Sequence, residues 1–153
     1  MSKKFKILIA NGVNLDLLGT REPKIYGKAT LAELESDISG EAERLSKYFD
    51  ATISLSFFQS NSEAELLNRL SGNWDGIVLN AGAWTHTSLA LADRLKAIAI
   101  PFVEVHISNL ATRESFRHKS YSAVHANGVI YGLGSDSYSA GLFSIVKYLC
   151  KSL

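Results

Sequence analysis

One glycine-hinged segment of this chain carries an amide, a guanidinium and a phenol: Asn14, Arg21 and Tyr26, set among Gly12, Gly19 and Gly27. Together they suit a polar, anionic small molecule, since the guanidinium binds negative charge and the other two exchange hydrogen bonds with polar atoms. Three more polar clusters each follow an apolar run. Phe57-Phe58 leads into Gln59-Ser60-Asn61-Ser62-Glu63, and the run ending at Asn80 leads into Ala81-Gly82-Ala83-Trp84-Thr85-His86-Thr87-Ser88. Val103-Glu104-Val105 leads into His106-Ile107-Ser108-Asn109, with Arg113 and Arg117 beyond it, expected on a short helix. His106, closing a buried run, is the strongest single candidate for chemistry.

Taken singly, most of these residues have ordinary readings. Tyr26 reads as a surface aromatic before a glycine, Arg21-Glu22 as a solvated charge pair and His86 as a residue of a Thr/Ser-rich helix start. Arg113 and Arg117, at i and i+4, read as one exposed helical face, and Asp93-Arg94 as a surface pair. Their joint occurrence is what points to a site.

Five short apolar runs must position them: 5–10, 51–58, 76–80, 101–106 and about 128–133. Between the runs lie segments with helical spacing. Leu31, Leu34, Ile38, Ala42, Leu45 and Tyr48 share one face of the first, and Leu66, Leu67 and Leu70 mark the second. Leu89, Leu91, Ala92, Leu95 and Ile98 mark the third, and Leu142, Ile145, Val146 and Leu149 the last. Thr30 before Glu33, and Asn61 or Ser62 before Glu65, predict helix starts with capping boxes. Alternating strands and helices imply a doubly wound five-stranded parallel sheet, a three-layer α/β/α arrangement over residues 1–153. In such a sheet, ligands bind beyond the carboxyl ends of the strands, where all four polar clusters fall. The connection from the first strand to Thr30 is far longer than a βα turn needs and reads as a lid.

Composition narrows the function classes. The chain has 153 residues, of which 46% are hydrophobic and 20% charged, as in an ordinary globular domain. A net charge of +1 and the absence of a Lys/Arg-rich run argue against nucleic acid or acidic membranes as partners. A single cysteine, Cys150, rules out an intrachain disulfide and suits a reducing cytoplasm. Neither a signal-peptide core nor a spanning apolar run is evident, so a cytoplasmic location is expected.

The four clusters, in this order and spacing and with Gly132-Leu133-Gly134 beyond them, resemble the signature segments of the type II 3-dehydroquinate dehydratases. These are small flavodoxin-like hydro-lyases of the shikimate pathway, which serves aromatic amino acid biosynthesis. The resemblance covers nearly the whole chain. It implies anti elimination of water from 3-dehydroquinate, giving 3-dehydroshikimate through an enolate, with no cofactor, metal or Schiff base. It also implies a homododecamer built from trimers.

Carried onto this sequence, the resemblance makes Tyr26 the catalytic base and Arg21 the cation that helps it ionise; a phenol titrates near ~10 in water. Asn14 would stabilise the enolate through an ordered water, and His106 would protonate the departing hydroxyl with Glu104 orienting it. Asn80, His86, Ile107, Ser108 and Arg117 would bind the carboxylate and hydroxyls of the substrate, the amides at 107–108 cradling the carboxylate. Arg113 would help close the site, and Asp93 would reach a substrate held by a neighbouring subunit.

Four positions depart from the family pattern. Val13 stands where the family usually has proline, which frees φ and adds an N–H beside Asn14. Trp84 replaces a smaller or phenolic side chain, Asn68 a common acid and Ser62 a common histidine. A catalytically inactive paralogue acting as a small-molecule-binding or scaffold module is the alternative; the presence of Tyr26, Arg21, Asn14 and His106 argues against it. A flavin carrier would want a Ser/Thr/Gly-rich phosphate loop after the first strand, and a response regulator would want acids there and an aspartate in place of Asn80. Gly-x-Gly-x-x-Gly and Gly-x-Ser-x-Gly are absent, which weakens a dinucleotide oxidoreductase and a serine hydrolase.

Overall fold

A computed structural model describes residues 2–152. The strands are β1 (Lys3–Asn11), β2 (Ala51–Gln59), β3 (Gly76–Asn80), β4 (Phe102–His106) and β5 (Gly128–Tyr131). The helices are α1 (Pro23–Tyr26), α2 (Leu31–Phe49), α3 (Glu63–Leu70), α4 (Leu89–Ile98) and α5 (Asp136–Lys151), with short 3-10 turns in the loops. The strands form one sheet in the order β2-β1-β3-β4-β5, and every neighbouring pair is parallel. The doubly wound five-stranded architecture expected from the sequence is therefore what the chain adopts.

Each face of the sheet has its own core. Phe5, Ile7, Ile9, Val78, Val103 and Val105 pack with α2 and α5, meeting Leu34, Ile38, Leu45, Leu142, Ile145 and Val146. Leu8, Ala10, Ile77, Leu79 and Phe102 pack with α3 and α4, meeting Leu66, Leu70, Leu91 and Leu95. A fully buried side chain of this kind contributes about 1.5–3 kcal/mol, so the two layers fix the strand register firmly. All residues of β3 and β4 are buried, because both lie inside the sheet with helices on both faces.

Some boundaries and faces differ from the sequence reading. β5 ends at Tyr131 rather than near 133, because Gly132 and Gly134 take φ of 90° and 61° and turn the chain out of the sheet. Tyr48 and Leu89 are exposed rather than part of the apolar stripes; Tyr48 instead packs edge-on against Phe49. α2 does start with a capping box, Thr30 accepting from the Glu33 N–H while the Glu33 carboxylate accepts from the Thr30 N–H. At α3 the box is only half made. Ser62 accepts from the Glu65 N–H, but the Glu65 carboxylate is taken by the Ser60 hydroxyl.

The register also prepares the upper edge of the sheet. Asn11 pairs with Gln59 on one side and Asn80 on the other, so three amide side chains end adjacent strands side by side. Gly12 then approaches the turn after β3 so closely that its N–H donates to the Asn80 carbonyl at 2.8 Å. A Cβ at position 12 would collide with the Ala81 carbonyl group. Glycine is required there for the lid to leave the sheet in this direction.

Among the described residues, no helix is long and apolar enough to cross a membrane.

Candidate active site

The lid, the turn after β3 and the segment after β4 enclose a pocket of about 600 Å³, its mouth included. That is the size of a small-molecule site. Asn14, Arg21 and Tyr26 line it from the lid, Asn80 and His86 from the end of β3, and His106, Ile107, Ser108, Arg113 and Arg117 from the end of β4. Ten of the twelve residues singled out in the sequence thus meet in one place. Glu104 stands directly behind His106, whereas Asp93 is exposed on α4 and lies outside the lining of this pocket.

Tyr26 ends α1, a single helical turn that starts with Pro23 and stops at Gly27 with φ 79°. Two cations flank its ring. Arg113 Nη2 donates to the phenol oxygen at 3.2 Å, and its Cζ lies 5.4 Å from the ring centroid. Arg21 lies over the ring with its Cζ 5.1 Å from the centroid, while its Nε stands 3.4 Å from Glu22. The direct hydrogen bond to the phenol therefore comes from Arg113, and Arg21 adds charge from above the ring. Arg113 Nη1 also donates to the Ser108 hydroxyl at 2.9 Å, so this one side chain ties the lid to the end of β4. The bridge needs a planar fork of donors, which arginine has and lysine lacks.

The expected short helix beyond β4 is instead a pair of separate 3-10 turns, Leu110–Thr112 and Ser115–Arg117. Extended backbone at Arg113 and Glu114 separates them and turns both arginines inward rather than onto one exposed face. Glu114 Oε2 holds Arg117 Nε at 2.9 Å.

β4 supplies an acid–base pair. Glu104 and His106 are two residues apart on a strand and share a face, with Oε1 2.7 Å from Nε2. Glu104 is 1% exposed and His106 5%. Burial by itself would push the Glu104 carboxyl upward, but the hydrogen bond and charge of His106, with donors from Ser122 and Ser120, hold it below the ordinary carboxylate range. Glu104 thus stays anionic at neutral pH. His106 Nε2 is committed to it, which leaves Nδ1 as the ring nitrogen available to the pocket.

His86 stacks on His106 with ring centroids 6.1 Å apart and planes 22° apart. Its Nδ1 lies 2.7 Å from the Lys119 carbonyl, which can only accept, so Nδ1 carries the hydrogen and Nε2 presents a lone pair. Burial lowers the pKa of His86, and neighbouring His106 and Arg117 act in the same direction. A neutral His86 with a free Nε2 is an acceptor for a ligand hydroxyl.

Asn80 is less free than the sequence suggests. Its Nδ2 donates to the Tyr138 hydroxyl at 2.8 Å and its Oδ1 accepts from the Gly82 N–H at 3.1 Å. Tyr138, fully buried on α5, donates in turn to Asn11 Oδ1 at 2.5 Å. Among the described residues, the backbone N–H groups of Ile107 and Ser108 donate to no other loop or cap acceptor. They are available to an anion, as at a helix N-terminus.

Asn14 holds the left-handed conformation, φ 66°, with its N–H donated to Asn61 Oδ1 at 2.8 Å. Gln59 Nε2 donates to the Gly12 carbonyl at 3.2 Å. Gln59, Asn61, Ser120, Ser122, Asn11 and Tyr138 support the site but were not singled out in the sequence. For Asn11, Gln59 and Asn61 a signal existed, their place at strand ends. For Ser120 and Ser122, in an irregular segment, there was none. Among the described residues, no group of three or more His, Cys, Asp or Glu is arranged to hold a metal ion.

Residues 5–146 match the family described as Dehydroquinase class II. The chain is 50% identical to a 3-dehydroquinate dehydratase of Sodalis glossinidius (strain morsitans), over 99% of each chain. It is 49% identical to one of Prochlorococcus marinus (strain MIT 9515), covering 94% of this chain and 96% of that one. The crystal structure of a type II dehydroquinase from Butyrivibrio crossotus DSM 2876 superposes with a TM-score of 0.84 at 36% identity, covering 94% of this chain and 98% of that one. With the family matched over nearly its whole length and the same fold found in a solved member, this chain belongs to the class II dehydroquinases.

Proposed function

We propose that this protein is a hydro-lyase that removes water from 3-dehydroquinate by anti elimination to give 3-dehydroshikimate, a step of the shikimate pathway. The observation that carries the reading is the meeting, in one pocket, of a phenol flanked by two guanidiniums and a histidine backed by a buried carboxylate. An elimination needs one group to take a proton and another to give one, and these come from different elements.

Tyr26, as phenolate, takes the proton α to the ketone of the substrate. Its electrons pass to the ketone oxygen, forming an enolate that Asn14 stabilises through a bound water. The enolate then expels the C1 hydroxyl, which leaves as water with a proton from His106. Arg113 and Arg21 place positive charge beside the phenol, and Glu104 places negative charge beside the imidazole. Ile107 and Ser108 N–H groups with Arg117 take the carboxylate, and His86 accepts from a hydroxyl. Asn80 shapes the wall between them.

The same reading takes the chain as one catalytic domain, cytoplasmic, working as a homododecamer of trimers. The exposed position of Asp93, outside its own pocket, supports a role toward a neighbouring subunit.

Stereospecific labelling tests the chemistry. With deuterium at one C2 position of 3-dehydroquinate, anti elimination removes the label trans to the C1 hydroxyl and retains the one cis to it. Loss of the cis label, read by mass spectrometry of the product, would contradict the proposal.

A further inference from the structure

The irregular segment 119–122 contacts His86 directly and reaches His106 through Glu104. The Lys119 carbonyl accepts from His86 Nδ1 at 2.7 Å and so sets the tautomer of that ring. The Ser120 hydroxyl lies 3.0 Å from each oxygen of Glu104, and the Ser122 hydroxyl donates to Glu104 Oε2 at 2.5 Å. The Tyr121 N–H donates to the Thr85 carbonyl at 2.9 Å, tying the segment to the turn that carries His86. Ser122 and Glu104 are each 1% exposed, so the bond between them is made away from water, where a charge-assisted hydrogen bond is strong.

We infer that segment 119–122 is the positioning element of the two histidines, with Ser122 the residue that keeps Glu104 ionised and aimed at His106. A buried carboxylate bears its charge only when its lone pairs are satisfied. His106 fills one position on Oε1, Ser122 one on Oε2, and the single Ser120 proton is shared between the two oxygens. Without Ser122, Oε2 keeps only the shared Ser120 hydroxyl, and the balance moves toward protonated Glu104. A protonated Glu104 carries no charge to hold an imidazolium at His106. The charged or titratable groups around this cluster are His106 beside Glu104 on β4, His86 on the turn after β3 and Arg117 on the segment after β4. Ser122 touches none of the reacting atoms and acts through Glu104. The inference rests on His106 serving as the acid of the proposed elimination.

The test is the pH profile of kcat and KM for Ser122→Ala, Ser122→Thr and the unaltered protein, with Glu104→Gln alone and combined with Ser122→Ala. Losing a hydrogen bond to a charged group shifts its equilibria by roughly ten- to a hundredfold. Ser122→Ala is expected to lower kcat by about tenfold near neutral pH, the loss shrinking as pH falls, with KM unchanged. Ser122→Thr, which keeps the hydroxyl, restores the profile, and Ser122→Ala adds no loss once Glu104 is Gln. A loss equal at every pH, or one that adds in full to that of Glu104→Gln, overturns the inference. Should Ser122→Ala fail to fold, Ser120→Ala gives the same readout, because its hydroxyl reaches the same carboxylate. Turnover of 3-dehydroquinate by the unaltered protein is the control: its absence defeats the proposed elimination, whereas normal turnover with an unchanged Ser122→Ala profile defeats only the role of Ser122.

Discussion

Replacing Glu104 by Gln keeps the shape of the side chain behind His106 and removes its charge. The fold should tolerate this. The amide oxygen can still accept from His106 Nε2, and the Ser122 hydroxyl can rotate to accept from the new N–H. What is lost is the attraction between carboxylate and imidazolium, now acting over 2.7 Å between the nearest atoms. Two unit charges about 4 Å apart attract by roughly 4 kcal/mol at an effective dielectric near 20. At about 1.36 kcal/mol per factor of ten, that attraction corresponds to up to about 10³-fold in rate. The variant should therefore lose about 10²- to 10³-fold in kcat near neutral pH, with KM little changed because Glu104 lies behind the pocket lining. The assay is initial rate across the pH range, with circular dichroism confirming the fold. The loss should shrink as pH falls, moving the alkaline limb toward acid. A variant with full kcat at neutral pH, or with the same loss at every pH, would refute the pairing as the source of acid strength. In the unaltered protein Glu104 is held below the ordinary carboxylate range. Its contribution to stability is thus present above that range and lost as pH falls through the lowered value.

Tyr26→Phe should abolish turnover while 3-dehydroquinate still binds, since the carboxylate and hydroxyl contacts come from other elements; calorimetry and rate together check this, and an active Phe variant removes Tyr26 as the base. Asp93→Ala should lower activity without unfolding the chain, and the unaltered protein should sediment as a large closed assembly of trimers; a fully active monomer would rule out a shared site. Tyr138→Phe leaves Asn80 Nδ2 and Asn11 Oδ1 without their buried partner. At about 1–3 kcal/mol for each orphaned group, it should cost roughly 3 kcal/mol of stability, read from urea midpoints at fixed protein concentration, and also raise KM. A cost well below about 1 kcal/mol would mean the amide clasp is not what holds Asn80.

Much of this molecule is legible in its residues, for physical reasons that also mark the limits. Strands β3 and β4, and β1 from Ile7 on, are buried on both faces, and their apolar runs locate them to within one or two residues. β2, at the sheet edge, is mostly half-buried and shows instead as a run of alternating apolar residues ending in Phe57-Phe58. The end of β5 is less clear, because Tyr131 and Leu133 look like strand residues and only the positive φ of Gly132 and Gly134 ends the pairing. His106 is recognisable from type and position, since ligand sites collect at strand ends, whereas Tyr26, Arg21 and Arg117 gain meaning only from their joint occurrence and the family resemblance. The hydrogen bond from Arg113 to Tyr26 is not recognisable, because it joins residues 87 positions apart and depends on how two loops fold over each other. The same holds for Ser122 on Glu104 and Tyr138 on Asn11. Serine and tyrosine are common residues, and tertiary packing alone decides which of them meets a buried carboxylate or amide.

The most direct test of the account is the ultraviolet absorbance of the unaltered protein with 3-dehydroquinate, run beside a sample first treated with borohydride and substrate. The product is a conjugated enone and the substrate is not. Rising absorbance that survives borohydride is the result the account predicts, for it requires elimination without a Schiff base. No rise from folded protein would contradict the assignment of Tyr26 and His106 as base and acid and favour a binding-only relative; a rise abolished by borohydride would show an imine mechanism instead.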